Sequence, residues 1–216
     1  MKNICVCLDS GHGGRQPGAV SSTFGYKEKD IALSITKMVH AYLSYAQKDS
    51  SSDWLFDNLC QTGLNSYVNV IMTRVTDVDL SLSSRCNIAN ENKATCFVSI
   101  HCNSYDGVSA NGIETWYYKG GLVQSKLFAQ KMQTCLIEET KKFKVKESDG
   151  TSHMPKDRGI KPNSSYYTLR HTTMPSLVVE CGFISHQGEV QLMMTQEYQD
   201  ALARGIAKGI LHTFCN

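Results

Sequence analysis

The chain has no surplus of either charge. Across 216 residues, 22 basic side chains face 20 acidic ones, 19% of residues are charged and the isoelectric point is near 8.0. A chain so balanced has no basic patch to spend on phosphates, so nucleic acid is not an expected partner. Long hydrophobic runs are also missing. No stretch has the length of a membrane span, and the opening Met1–Gly11 segment puts a single lysine before a short strand-like run and not before a signal-type apolar core. The expectation is therefore a protein made in the cytoplasm with no membrane span and no visible secretion signal. Paired CxxC motifs are absent as well. Nine cysteines stand at positions 5, 7, 60, 86, 96, 102, 135, 181 and 215. That odd, scattered set argues against a zinc ribbon or a disulfide framework and for reduced, mostly buried thiols. No internal repeat and no low-complexity segment breaks the chain.

What the chain does contain is alternating strand-like and helix-like periodicity, the pattern of an α/β fold. Strands are expected at Ile4 to Leu8, Val68 to Met72, Thr95 to Ile100, Gly112 to Tyr118, Tyr166 to Leu169 and Leu177 to Val179. Ile31, Ile35, Met38, Val39, Tyr42 and Leu43 recur at helical spacing, which predicts an amphipathic helix from about Glu28 to Gln47. Further helices are expected over Leu82 to Asn90, around Leu127, Phe128, Met132, Cys135 and Leu136, and around Tyr198, Leu202, Ile206, Ile210 and Phe214. The length suits one domain over residues 1–216: a twisted, mainly parallel sheet of about six strands flanked by helices. Two polar stretches, Lys48 to Ser66 and Phe143 to Ser165, exceed the usual connection length and read as loops, either of which would suit the rim of a cleft. Trp54 and Leu55 favour a packed insert in the first, and His153 in the second is placed to line the cleft.

Four groups of metal-ligating or proton-transferring chemistry fall at strand ends. His12 follows the first strand in Asp9-Ser10-Gly11-His12-Gly13-Gly14, Glu28 opens the first helix, His101 caps Val98-Ser99-Ile100, and Glu180 ends Leu177-Val178-Val179. In an open parallel sheet the carboxyl ends of the strands share one edge, where ligands bind. Two imidazoles and a carboxylate make a catalytic zinc set, since three protein ligands leave one position for water. Glu180 is then a second carboxylate free to move the proton. Each residue also has a bland reading. His12 in a glycine loop can cap a turn, and Glu28 can serve the helix dipole. Glu180, next to three apolar residues, is harder to dismiss, because a carboxylate beside a core strand needs a partner or a task. The glycine loop lacks the GK[ST] ending of a phosphate-binding loop.

Read together, these segments resemble the zinc-dependent N-acetylmuramoyl-L-alanine amidases over nearly the whole length. Leu8 to Gly14 with Pro17-Gly18-Ala19 and Gly25 to Asp30 is similar to that family's first histidine loop and zinc glutamate. Thr73-Arg74, with Asp77, Leu82, Arg85, Ala89 and Asn90, is similar to its arginine-bearing helix. Phe97 to Asn103 is similar to its second histidine motif, and Arg158 to Lys161, Tyr167 to Arg170 and Met174 to Ser185 are similar to the segment carrying its catalytic glutamate. Cys102, Cys181 and His186 depart from the family's usual residues, and none of them removes a ligand. The resemblance implies Zn2+ held by His12, Glu28 and His101, Glu180 as general base, and hydrolysis of the amide between muramic acid and L-alanine in bacterial peptidoglycan. The protein is then expected to act at the bacterial cell wall, as a monomer. Arg170 and Asn103 are the expected substrate contacts, with an ion pair as the plain alternative for Arg170, whereas Arg74, Asp77 and Arg85 read as scaffold charges. Two other readings compete. A zinc carboxypeptidase would use His186-Gln187-Gly188-Glu189 as an H-x-x-E pair and needs a further histidine, for which only His212 remains. A non-catalytic peptidoglycan-binding module would have lost a ligand or the acid.

Overall fold

A computed structural model describes residues 2–45, 66–107 and 109–215. Strand β1 (Lys2–Ser10) leads through the glycine loop to helix α1 (Glu28–Tyr45), and β2 (Ser66–Met72) is followed by α2 (Leu82–Glu91). Next come β3 (Cys96–Asn103), β4 (Ile113–Tyr118), α3 (Val123–Thr140), the short pair β5 (Val145–Lys146) and β6 (Ser152–His153), and β7 (Asp157–Asn163). Helix α4 (Tyr167–His171), strand β8 (Ser176–Phe183), α5 (Gln187–Met193) and α6 (Gln196–Phe214) complete the order. The long polar stretch expected before β2, with Trp54, Leu55 and the predicted end of the first helix, lies outside the described residues up to position 65.

Six strands form one sheet in the order β2-β1-β3-β8-β4-β7. β1 pairs in parallel with β2 and β3, β3 pairs in parallel with β8, and β4 is antiparallel to β8 and parallel to β7. The sheet is thus mainly parallel, as the sequence predicts, but β4 and β7 run against the other four. The link from Asn103 to Ile113 is the physical reason. Its described residues contain no helix, and it is too short to carry the chain back to the far end of the sheet, as a parallel crossover requires. The amino end of β4 therefore lies at the edge where β1, β3 and β8 end.

Alternation along the strands sorts the two faces. Ile4, Val6 and Leu8 of β1, Cys96, Val98 and Ile100 of β3, and Leu177, Val179 and Cys181 of β8 belong to the large core. That core also takes Ile31, Ile35, Val39 and Leu43 from α1, Phe128, Met132 and Leu136 from α3, and Leu202, Ile206, Ile210 and Phe214 from α6. Each such side chain, fully buried, contributes roughly 1.5–3 kcal/mol, which holds these helices to the sheet more firmly than helix propensity does. Cys7 and Phe97 face the other way and form a smaller cluster with Ala89, Ala94 and Met174. Further along that second face the apolar residues give way to Asp9, Ser99, His101 and Glu180. Among the described residues eight cysteines are free thiols, six of them buried, and no helix is long and apolar enough to cross a membrane.

Two expectations fail. Tyr166 to Leu169 is not a strand but leads into helix α4. Asn163 Oδ1 accepts the backbone N–H groups of Ser165 and Tyr166 at 2.7 Å each, which turns the chain, and Arg170 N then bonds Tyr166 O. This local capping overrides the β-preference of Tyr and Thr. Phe143 to Ser165 is not a loop throughout, since it holds the β5–β6 hairpin and strand β7. β7 escapes a sequence reading because it is an edge strand, half-buried and carrying Pro162, with no apolar alternation.

Candidate active site

The glycine loop after β1 carries His12 back over the sheet edge, where α1 begins with Glu28. His12 Nε2 lies 3.0 Å from Glu28 Oε2, and His101 Nδ1 lies 2.8 Å from Glu28 Oε1. The two imidazole rings stand 5.0 Å apart and nearly perpendicular. Close packing of backbone makes this possible. A Cβ on Gly11 would sit 2.4 Å from the His101 ring, and one on Gly18 would sit 2.5 Å from Glu28 Oε2. His12 itself has φ +57°, a left-handed conformation that costs free energy in a non-glycine residue and is held here by its surroundings. Glu28 is not spent on the helix dipole alone, since its two oxygens also accept Ala19 N at 2.8 Å and Cys102 N at 3.1 Å.

Buried arginines hold the loop in place. Arg85 from α2 donates to Asp9 Oδ1 at 2.7 Å, to Ser10 O at 2.7 Å and to His12 O at 2.6 Å. Arg74 donates to the carbonyls of Ser10, Gly11 and Lys29, and Asp77 pairs with Lys29 at 2.6 Å. All three act as scaffold charges, in line with the sequence. A relay of hydrogen bonds orients His101: its Nε2 lies 3.1 Å from Ser99 Oγ, which donates to Asp9 Oδ2 at 2.6 Å. Asp9 is held below the usual carboxylate range despite its burial, by Arg85 and by the hydroxyls of Ser99 and Thr73.

His12, Glu28 and His101 place three ligand atoms within 4.8 Å of one another, a grouping that could hold a metal ion. The donor set suits a borderline cation, with two imidazole nitrogens and one carboxylate oxygen. Burial raises the Glu28 carboxyl, but hydrogen bonds from His101 and His12 win and hold it far below its ordinary value. Burial lowers the His101 imidazole, yet its contact with Glu28 and the nearby charges of Glu180 and Asp9 push it up to about 9. Glu28 thus already draws positive charge toward His101, and a cation can supply that charge in place of the proton.

Glu180 lies beside His101 in the β3–β8 register and lines a cavity of about 320 Å³ together with Asp9, His12, His101, Val178, Tyr166 and Tyr167. It is 7% exposed, and its Oε2 is a buried side-chain oxygen with no hydrogen-bond partner. Burial raises its pKa to about 7; the His101 charge opposes this, while Glu28 and Glu114 add to it. The arrangement puts a carboxyl group raised toward neutrality next to a trio that could hold a metal ion, at the wall of an open cavity.

Other expected site residues fall elsewhere. Asn103 sits at the end of β3, where Nδ2 donates to Glu114 Oε1 at 2.8 Å and Oδ1 accepts Ser104 N at 2.8 Å. Arg170 is exposed on α4, outside the cavity lining formed by its neighbours Tyr166, Tyr167 and Thr168. His153 pairs with Glu147 at 2.6 Å and does not line this cavity. His186 and Glu189, the pair a carboxypeptidase would need, are engaged in structure. His186 Nδ1 accepts Glu189 N at the start of α5, and the Glu189 carboxylate accepts Gly112 N at 2.8 Å and Phe183 N at 2.7 Å. His212 lies on α6 beside Cys135. Glu114, by contrast, is a site residue that the sequence reading missed. It stands directly opposite Glu180 in the β4–β8 register and is 1% exposed. An acid inside the strand Ile113-Glu114-Thr115-Trp116 carries the same signal that singled out Glu180.

Comparison with known proteins places this geometry. Residues 6–50 and 55–212 match the profile of the N-acetylmuramoyl-L-alanine amidases. YqiI of Bacillus subtilis (strain 168) is 33% identical over 95% of this chain and 82% of its own length. The endolysin of Bacillus phage SPP1 is 32% identical over 95% of this chain, which spans 64% of that protein. Among solved structures, an N-acetylmuramoyl-L-alanine amidase from Clostridium difficile 630 superposes with a TM-score of 0.79 at 33% identity, covering 98% of this chain and 97% of that one. With the fold, the histidine–glutamate–histidine trio and the sequence match all in agreement, the chain belongs to the N-acetylmuramoyl-L-alanine amidase family.

Proposed function

We propose that the protein hydrolyses the amide between N-acetylmuramic acid and the L-alanine of the peptidoglycan stem peptide at the bacterial cell wall, with zinc held by His12, Glu28 and His101 and with Glu180 moving the proton. The observation that carries this reading is the unpartnered Oε2 of Glu180, buried at the wall of the cavity that His12 and His101 also line. A buried carboxylate oxygen without a donor is costly unless a ligand or a proton uses it.

Zinc at such a site supplies Lewis acidity, which polarises a carbonyl and makes water more acidic. The chain's own residues do the rest. His12 and His101 are held with one ring nitrogen each toward Glu28, and the Ser99–Asp9 relay fixes the other nitrogen of His101. Glu180 accepts a proton at Oε2 from the attacking water and returns it to the nitrogen of the departing L-alanine, so one group serves as base and then as acid. A carboxyl group that titrates near 7 is suited to both halves of that transfer at neutral pH. Tyr166, Tyr167, Leu80 and Leu82 wall the cavity and limit water around the scissile bond.

The test is digestion of purified sacculi by the zinc-loaded protein, with mass spectrometry of the products. Peptides with a new N-terminal L-alanine, together with glycan strands stripped of peptide, are expected. New ends inside the stem peptide, or no new ends, overturn the proposal.

A further inference from the structure

Glu114, like Glu28, is held on both oxygens by four partners. Its Oε1 accepts Asn103 Nδ2 at 2.8 Å and Trp116 Nε1 at 3.0 Å, while its Oε2 accepts Arg158 Nε at 2.6 Å and lies 3.1 Å from Lys161 Nζ. Two cations thus share this one carboxylate, which stands opposite Glu180 across the β4–β8 pair. The cations are not sealed in: the side chains of Arg158 and Lys161 are 25% and 31% exposed, against 2% for Glu114. Both rest on aromatic rings, Arg158 4.9 Å above Phe183 and Lys161 5.5 Å above Trp116. Trp116 in turn packs edge-on against Tyr166, a wall residue of the cavity, with centroids 5.6 Å apart.

The groups lie in a definite order across the face. The ligand trio belongs to the β1 and β3 side, Glu180 to β8, Glu114 to β4 and the two cations to β7. In the reaction proposed above, the carbonyl lies over the trio and the departing nitrogen at Glu180, so the peptide leaves toward β4 and β7. Two strand spacings, roughly 10 Å, separate β8 from β7. An extended peptide advances roughly 3.5 Å per residue, and a hydrogen bond adds about 3 Å. A carboxylate branching from the second residue of the stem peptide falls within that reach. If that residue is joined onward through its side chain, its α-carboxyl group is left either as a free acid or as an amide.

We propose that Lys161, with Arg158 beside it, forms a subsite for the α-carboxylate of the second stem residue, so that the protein distinguishes a free acid from its amide there. The proposal rests on the muramyl–alanine reading for its direction and on the Glu114 cluster for its chemistry. Hydrogen bonds to charged groups contribute about 1.5–3 kcal/mol, so the discrimination is roughly tenfold or more.

Binding tests it without turnover. In the zinc-loaded Glu180→Gln protein, titration calorimetry compares N-acetylmuramyl-L-alanyl-D-isoglutamate with its D-isoglutamine counterpart. The acid is expected to bind roughly tenfold tighter. Lys161→Met should remove that preference by weakening the acid alone, and Lys161→Arg should keep it. Lys161→Gln repeats the comparison should the Met variant melt early. Equal affinities, a preference that survives Lys161→Met, or failure of both ligands to bind each overturn the subsite. Sacculus digestion reports separately on which bond is cut, so failure of the reaction and failure of the subsite are distinguishable.

Discussion

Two carboxylates at similar depth, in neighbouring parts of one site, meet opposite fates. Glu28 is 4% exposed and Glu180 is 7% exposed. Around Glu28, two backbone N–H groups and two imidazoles converge on its oxygens, and the acid is held far below its ordinary value. Around Glu180 no donor reaches Oε2, and the acid is raised to about 7. Burial pushes both the same way, so the supply of donors decides which acid stays charged. One environment keeps a carboxylate charged and the other leaves a group that can give and take a proton.

The largest expected break in this comparison is Glu28→Ala. Zinc should no longer be retained after desalting, and turnover should fall to background; a full equivalent of zinc by elemental analysis would show that the trio is not the metal site. Next is Glu180→Gln, which should keep zinc and lower kcat by about a thousandfold, within the usual range for a lost general base. If kcat stays within a few-fold of wild type, Glu180 does not carry the proton. Arg85→Ala comes third. It leaves Asp9 buried without its cation and should destabilise the fold by about 3–5 kcal/mol, read by urea unfolding. A loss under 1 kcal/mol would refute the buried-pair argument.

The smallest expected effect concerns stability against pH. The folded pKa of Glu180, about 7, lies above its ordinary 4.5. The native state therefore binds the proton more tightly, and stability from this group declines as pH rises from about 4.5 to about 7. Gln cannot ionise. Metal-free Glu180→Gln should thus match wild type below about pH 4.5 and exceed it at pH 8, by on the order of 3 kcal/mol. Coincident melting curves at pH 8 would show that the buried carboxylate is not under strain.

That His12, Glu28, His101 and Glu180 meet at one edge of the sheet was legible in sequence because each sits where an apolar strand or a glycine loop ends, and a polar group at such a point needs a task. The arginines of the scaffold were legible for a related reason, since charges near element ends pair. Glu114 carried the same signal but was passed over. Its importance depends on β4 running antiparallel to β8, and strand direction leaves no mark on a period-two pattern. Strand β7 was hidden by its polar edge character, and α4 by a turn that the Asn163 side chain closes. Asn103 was read as a substrate contact, but its amide is already engaged by Glu114, a partner eleven positions away that no local pattern connects to it.

The reversed direction of β4 also divides the labour of the surrounding loops. The trio that could hold a metal ion comes from β3 itself and from the segment that leaves β1, whereas the amino end of β4, with Glu114, is reached by the segment that follows Asn103. Variation in that segment can therefore alter the surroundings of Glu114 while the trio stays as it was, so evolution or a protein engineer can adjust one side of the site without disturbing the other.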